Sequence, residues 1–161
     1  MKNFRLVATF AFLALLSSVG AAHAADDRAI VESFYKLLLS GTTSADLQER
    51  MNDVLSPAWE SYGGYGQPAK TRAQFLAQLR GTGTVVPNLV WKVEEVLQEG
   101  NRFVVRGRAT ATPVRPFLGV EPSTRSFEIM SIDIHTVENH KIVKSYHVED
   151  WHAAIEQLQG K

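Results

Sequence analysis

The chain has 161 residues, 17 Lys plus Arg against 17 Asp plus Glu, and no cysteine. Without cysteine there can be no disulfide, thiol nucleophile, thiolate metal site or lipid-anchored N-terminal Cys. The balanced charge lacks the basic stripe that phosphate backbones demand, so nucleic acid is not an expected partner, and neither is an anionic membrane surface.

The stretch from Met1 to Ala24 reads as a signal peptide. MKNFR supplies Lys2 and Arg5, Leu6 to Val19 is apolar, and Ala22-His23-Ala24 has the small-x-small form of a cleavage site. The apolar run is about 14 residues, short of the roughly 20 needed to span a bilayer. The expected product is a periplasmic or secreted domain over 25–161, with no membrane attachment after cleavage. Its charge is near −2, since Lys2 and Arg5 are lost and 15 basic residues face 17 acidic ones. A span of that length suffices for one domain with a core that needs no disulfide.

DDRAIVESFYKLLLS carries Ile30, Val31, Phe34, Tyr35, Leu37 and Leu38 at helical spacing, with aspartates at the positive end of the dipole and Gly41 as terminator. A second helix is expected from Ser44 to about Leu55, ahead of Pro57. A third starts at Thr71, where T-R-A-Q is a capping box, and closes at Gly81. Between them lies SYGGYGQP, either a surface loop or a mobile lid; its glycines fit no phosphate or dinucleotide frame. Trp59 and Tyr62, at near-helical spacing, are expected to point together into a pocket mouth.

Strands follow. Leu89, Trp91 and Val93 alternate with Lys92 and Glu94, and Glu99-Gly100-Asn101 turns the chain. Phe103, Val105, Gly107, Ala109 and Ala111 then share a face. After the proline-rich stretch PVRPFLGVEPST, Phe127, Ile129, Ser131, Asp133 and His135 share another. Glu138-Asn139-His140 leads by a tight hairpin into 141–149, and a last helix follows. Helices first and hairpin-linked strands second predict an α+β fold: a curved antiparallel sheet with helices on one face.

The C-terminal half resembles the SnoaL-like polyketide cyclase (ester cyclase) family, of the nuclear-transport-factor-2-like superfamily. The resemblance rests on Pro87 to Val96, Phe117-Leu118-Gly119-Val120, Lys141-Ile142-Val143 through Tyr146 to Asp150, and Gln157-Leu158. It implies a cone-shaped sheet wrapped by helices around an apolar pocket. The chain departs from the pattern at Pro113 and Arg115, where a His is usual, and at Asn139-His140, Lys144 and Tyr146. In the cyclases the aspartate matching Asp150 is the proposed acid/base of an aldol closure, which implies no cofactor.

Two readings of Asp150 stand side by side. Even positions of the last strand (Ile142, Tyr146, Val148, Asp150) fall on one face, which would turn Asp150 into the pocket with Tyr146 as its hydrogen-bond partner. Directly before Trp151-His152-Ala153, Asp150 is also an ordinary helix N-cap. His147 could join it only across a bulge or an early helical turn. Trp59, Tyr62, Trp91, Phe117 and Tyr35 are the expected pocket walls for a small hydrophobic carbonyl compound. Asp133 and His135 fit hydrogen bonding at a dimer surface, the expected assembly being a homodimer through the outer sheet face. His135, His140, His147 and His152 show no metal-ligand spacing. Either an acid/base cyclase or isomerase, or a ligand-binding module without catalysis, would fit these features.

Overall fold

The computed structural model describes residues 27–161. The expected signal peptide and its cleavage point lie outside the described residues. No helix among those described is long and apolar enough to cross a membrane.

The first helix, α1, is α-helical over 27–33 and widens to a π-helix over Phe34–Leu39. Its end is pinned by Ser40, whose N–H donates to the Tyr35 carbonyl at 2.9 Å and whose Oγ accepts from the Trp91 N–H at 2.8 Å. Gly41 follows because a Cβ there would meet the Leu37 carbonyl oxygen at 2.1 Å. Helix α2, Leu47–Val54, runs directly into strand β1, Leu55–Tyr62. Strand β2 (Lys70–Thr71) is two residues long and opens helix α3, Arg72–Val85. The capping box forms as the sequence predicts, but α3 passes Gly81 for another turn. Strands β3 (Val90–Glu99), β4 (Arg102–Ala111), β5 (Phe127–Glu138) and β6 (Lys141–Glu149) precede helix α4, Trp151–Gln159.

The sheet order is β2-β1-β6-β5-β4-β3. Neighbours are antiparallel except β1 and β6, which are parallel. The predicted α+β architecture is therefore present, with a mixed sheet of six strands. The β5–β6 hairpin turns through Asn139 and His140, at φ 50° and 55°. These values suit the tight two-residue turn that matches strand twist. On the inner face, Phe103, Val105, Ala109, Phe127 and Ile129 pack with Val31, Phe34, Tyr35 and Leu38 of α1 and with Met51 and Val54 of α2.

Two readings of side-chain direction change. Residues 55–62 are a strand, so three-residue spacing separates Trp59 from Tyr62: Trp59 is buried inward and Tyr62 stacks on Tyr146 of the outer face. Pro57 sits where the β1–β6 register is irregular, a place where its missing N–H costs no ladder bond. In β6 the register shifts beside Thr136, since Thr136 pairs with Lys144 and Val137 with Ile142, leaving Val143 as an extra residue. Ile142 faces inward, but beyond the bulge the inward residues are Ser145, His147 and Glu149. Tyr146 and Val148 are 42% and 72% exposed.

Thr71→Ala removes the hydroxyl that accepts from the Gln74 N–H at 3.3 Å. It should cost about 1 kcal/mol in urea unfolding without moving the sheet, the usual value of an N-cap.

Candidate functional site

Between the inner sheet face and helices α1 and α3 lies a cavity of about 210 Å³. Two aromatic groups wall it. Phe34, Trp59 and Phe75 pack with centroids 5.0 to 6.5 Å apart. Across from them, Trp151 meets Phe117 and Phe127 edge-on at 5.9 Å and Trp91 at 6.5 Å. The polar lining consists mainly of Asp133, Ser145, His147, Glu149, Ser61 and Lys70.

Sheet register explains why these groups meet. His147 of β6 lies opposite Asp133 of β5, which lies opposite Val105 of β4. In an adjacent row Lys70 pairs with Ser61, Ser61 with Ser145, and Ser145 with His135. Gly107, opposite Ser131, leaves space that a Cβ would deny, since it would stand 2.7 Å from Ser131 Oγ.

Asp133 is 4% exposed and His135 fully buried. Trp59 Nε1 bonds Ser145 Oγ at 3.0 Å, Ser145 Oγ meets His135 Nδ1 at 2.8 Å, and His135 Nε2 meets Tyr35 Oη at 2.9 Å. The Tyr35 hydroxyl also favours the charged form of Asp133, whose Oδ2 accepts from Ser131 Oγ at 3.0 Å. Trp59 Nε1–H can only donate, so Ser145 Oγ accepts from it. His135 is neutral, so one ring nitrogen donates and the other accepts, and either tautomer completes the row between Ser145 and Tyr35.

Burial raises the Asp133 carboxyl to about 7; the hydrogen bonds from Tyr35 and Ser131 oppose the shift, and the charge of Glu149 adds to it. Burial also lifts the Tyr35 phenol well above its usual range, with the charge of Asp133 next in importance. His135 is depressed to about 3 by burial and then by His147, so it stays neutral. His147, whose Nδ1 lies 3.0 Å from Ser61 Oγ, is lowered by burial, with Glu149 opposing and Lys70 adding. A carboxyl titrating near neutrality beside a neutral imidazole can give and take protons at physiological pH.

Of the residues expected from sequence, His147, Trp59, Trp91 and Phe117 line the cavity, and Tyr35 stands behind it, hydrogen-bonded to His135. Asp150, Tyr146 and Tyr62 lie outside. Asp150 is exposed and accepts the Ala153 N–H at 3.0 Å as the N-cap of α4. Tyr146 and Tyr62 stack at 5.2 Å on the outer face, because the Val143 bulge and the strand character of β1 turn them there. Asp133 and His135 belong to the interior, not to a dimer surface. Their shared face with Phe127 and Ile129 is the sequence signal for this. Lys70, Glu149 and Ser61 carry none, since they meet only through strand pairing. Among the described residues no group of three potential metal ligands gathers.

Asp133 retains its proton to about pH 7 when folded and to about 3.8 in its ordinary state. The unfolded chain therefore binds fewer protons between those values, and this group's contribution to stability falls as pH rises from about 4 to about 7. His135 acts oppositely, losing stability as pH falls from about 6.5 toward 3. Asp133→Asn leaves the histidine effect in place. Relative to wild type it should gain a few kcal/mol across that window and level off above it, as read by urea melts from pH 4 to 8.

The family model for the SnoaL-like polyketide cyclases matches residues 33–158. Solved structures similar to the chain include IdmH of Streptomyces antibioticus, a proposed polyketide cyclase, at 21% identity and TM-score 0.72, covering 83% of this chain and 98% of that one. A proposed SnoaL-like polyketide cyclase of Jannaschia sp. CCS1 is similar at 20% identity and TM-score 0.72, covering 85% and 94%. AclR of Streptomyces galilaeus, a proposed hydroxylase, is similar at 19% identity and TM-score 0.70, covering 85% and 83%. No curated protein matches the chain.

Proposed function

The chain belongs to the SnoaL-like polyketide cyclase family, and from that premise we propose that its cavity performs proton transfer α to the carbonyl of a small hydrophobic compound, with Asp133 as the base. The observation that carries this reading is the Asp133 carboxyl, 4% exposed on the cavity wall and raised to about 7 chiefly by burial. Asp133 takes the α-proton and can return it at another carbon. Tyr35, held by His135, fixes the carboxyl in place. The aromatic walls exclude water, so the developing charges meet fixed dipoles and not bulk solvent. No cofactor is needed for this step, because a positioned base suffices.

Cavity size bounds the substrate. About 210 Å³ is below the roughly 300–1,000 Å³ of pockets for drug-sized ligands, which favours a compound of one or two rings. The signal-like stretch from Met1 to Ala24 supports action in the periplasm or outside the cell.

The test follows the α-protons of 2-indanone in deuterium oxide by NMR. Wild type should exchange them, and Asp133→Asn should slow exchange by about 10² or more, the usual worth of a general base. Asp150→Asn should leave exchange intact and lower stability by no more than about 1 kcal/mol, as loss of a cap does. The opposite pattern would return the base role to Asp150. Binding of the ketone without enzyme-dependent exchange would favour the ligand-binding module.

The outer sheet face supports a homodimer. Met130, Ile132, Tyr146 and Val148 are exposed there, and both Arg108 and its partner Glu128 flank them. Both charge signs on one patch suit the self-complementary contact of a two-fold pair. Sedimentation should show a dimer for wild type and a monomer for Val148→Glu; an unchanged profile would remove this face from the assembly.

A further inference from the structure

Lys70 is the one lysine among the residues lining the cavity, and the proton-transfer reading above gives it no task. It stands on β2, opposite Ser61 in register, one residue before the α3 capping box. Its amine lies over the ring of Phe75, with Nζ 6.0 Å from the centroid. Among the described residues no carboxylate lies within ion-pair distance of Nζ, whereas Lys92 pairs with Glu94 and Lys141 is held by the carbonyls of Asn52 and Asp53. An amine without a contacting counter-ion, in an aromatic cavity that also holds a buried carboxyl, is placed as a nucleophile.

We propose that Lys70 captures the carbonyl carbon of the ligand as an imine, so that Asp133 draws its proton from an iminium and not from a neutral ketone. This rests on the proton-transfer reading of the same cavity and deepens it. The neutral amine adds its electron pair to the carbonyl carbon and gives a carbinolamine. The C–O bond breaks, and the oxygen leaves as water with a proton drawn from bulk solvent. Asp133 then accepts the α-proton; the C–H electron pair becomes the enamine double bond and the C=N pair returns to nitrogen. Reprotonation and addition of water release the carbonyl compound and restore Lys70. No oxidant or reductant enters.

The surroundings agree with this role. Burial lowers the affinity of the Lys70 amine for its proton, the charge of Glu149 opposing, which enlarges the neutral fraction that attacks carbonyls. The positive charge of the iminium draws electrons from the adjacent C–H bond, which makes a base of carboxylate strength sufficient.

The experiment treats the full chain with 2-indanone and sodium cyanoborohydride, which reduces an imine to a stable amine, followed by peptide mapping. The expected result is one N-indanyl group on Lys70, formed ahead of any on the exposed lysines, and no such group on Lys70→Arg or on Lys70→Met, both checked for folding by thermal melt. Asp133→Asn should keep the adduct, because capture precedes proton removal. Modification spread evenly over surface lysines, or none at all while Asp133-dependent exchange persists, overturns the imine and leaves the base standing. An adduct on Lys70 together with undiminished exchange in Asp133→Asn supports the capture and overturns the base instead.

Discussion

One surplus residue in a hairpin decides the chemistry of the interior. Val143 adds a step to β6 that β5 lacks, and every side chain beyond it changes face. Without the bulge the inward row would run Lys144, Tyr146, Val148 and Asp150, and neither His147 nor Glu149 would face the cavity. With it, Ser145, His147 and Glu149 enter, and Ser145 comes within reach of His135, Trp59 and the row that ends at Asp133. Tyr146 and Val148 are turned to the outer face, where their apolar surface is exposed. The interior polarity and the exterior stickiness thus have a common origin.

The chain of hydrogen bonds explains how so much polarity survives in the core. A buried donor or acceptor without a partner costs about 1–3 kcal/mol, more when charged. Trp59, Ser145, His135 and Tyr35 avoid that cost because each is hydrogen-bonded to the next. Burial, with His147 adding to it, keeps His135 neutral. Such networks fix geometry more than they add net stability. Trp91 is the contrast: its buried Nε1–H has no partner among the described residues.

Fold and chemistry stand at different distances from the comparisons. Structures at 21% and 19% identity share the architecture with this chain, and their described roles already include a cyclase and a hydroxylase. One scaffold hosting several reactions is the general rule for common folds. In this chain the side chains lining the cavity include a near-neutral aspartate, a half-buried lysine and a histidine of lowered basicity.

Much of the architecture is legible because it rests on local or periodic signals. Apolar spacing marks α1, T-R-A-Q marks the start of α3, turn residues mark the hairpins, and alternation places Phe127, Ile129, Ser131, Asp133 and His135 on one face. The family motifs in the C-terminal half carry the rest of the fold. Residues 55–62 do not read as a strand, because Pro57 and the glycines that follow resemble a loop. Their strand character comes from parallel pairing with β6, a contact between segments far apart along the chain. The site is legible only in its aromatic walls. Alternation counts residues, and a bulge is a local miscount invisible to it, so counting points to Asp150 as the inward carboxylate when the sheet turns that one to the α4 terminus. Periodicity within each segment is written in the sequence; the register between segments, which brings Asp133, His147 and Lys70 to one hollow, is decided by tertiary hydrogen bonding, because pairing energy belongs to two strands at once and to neither alone.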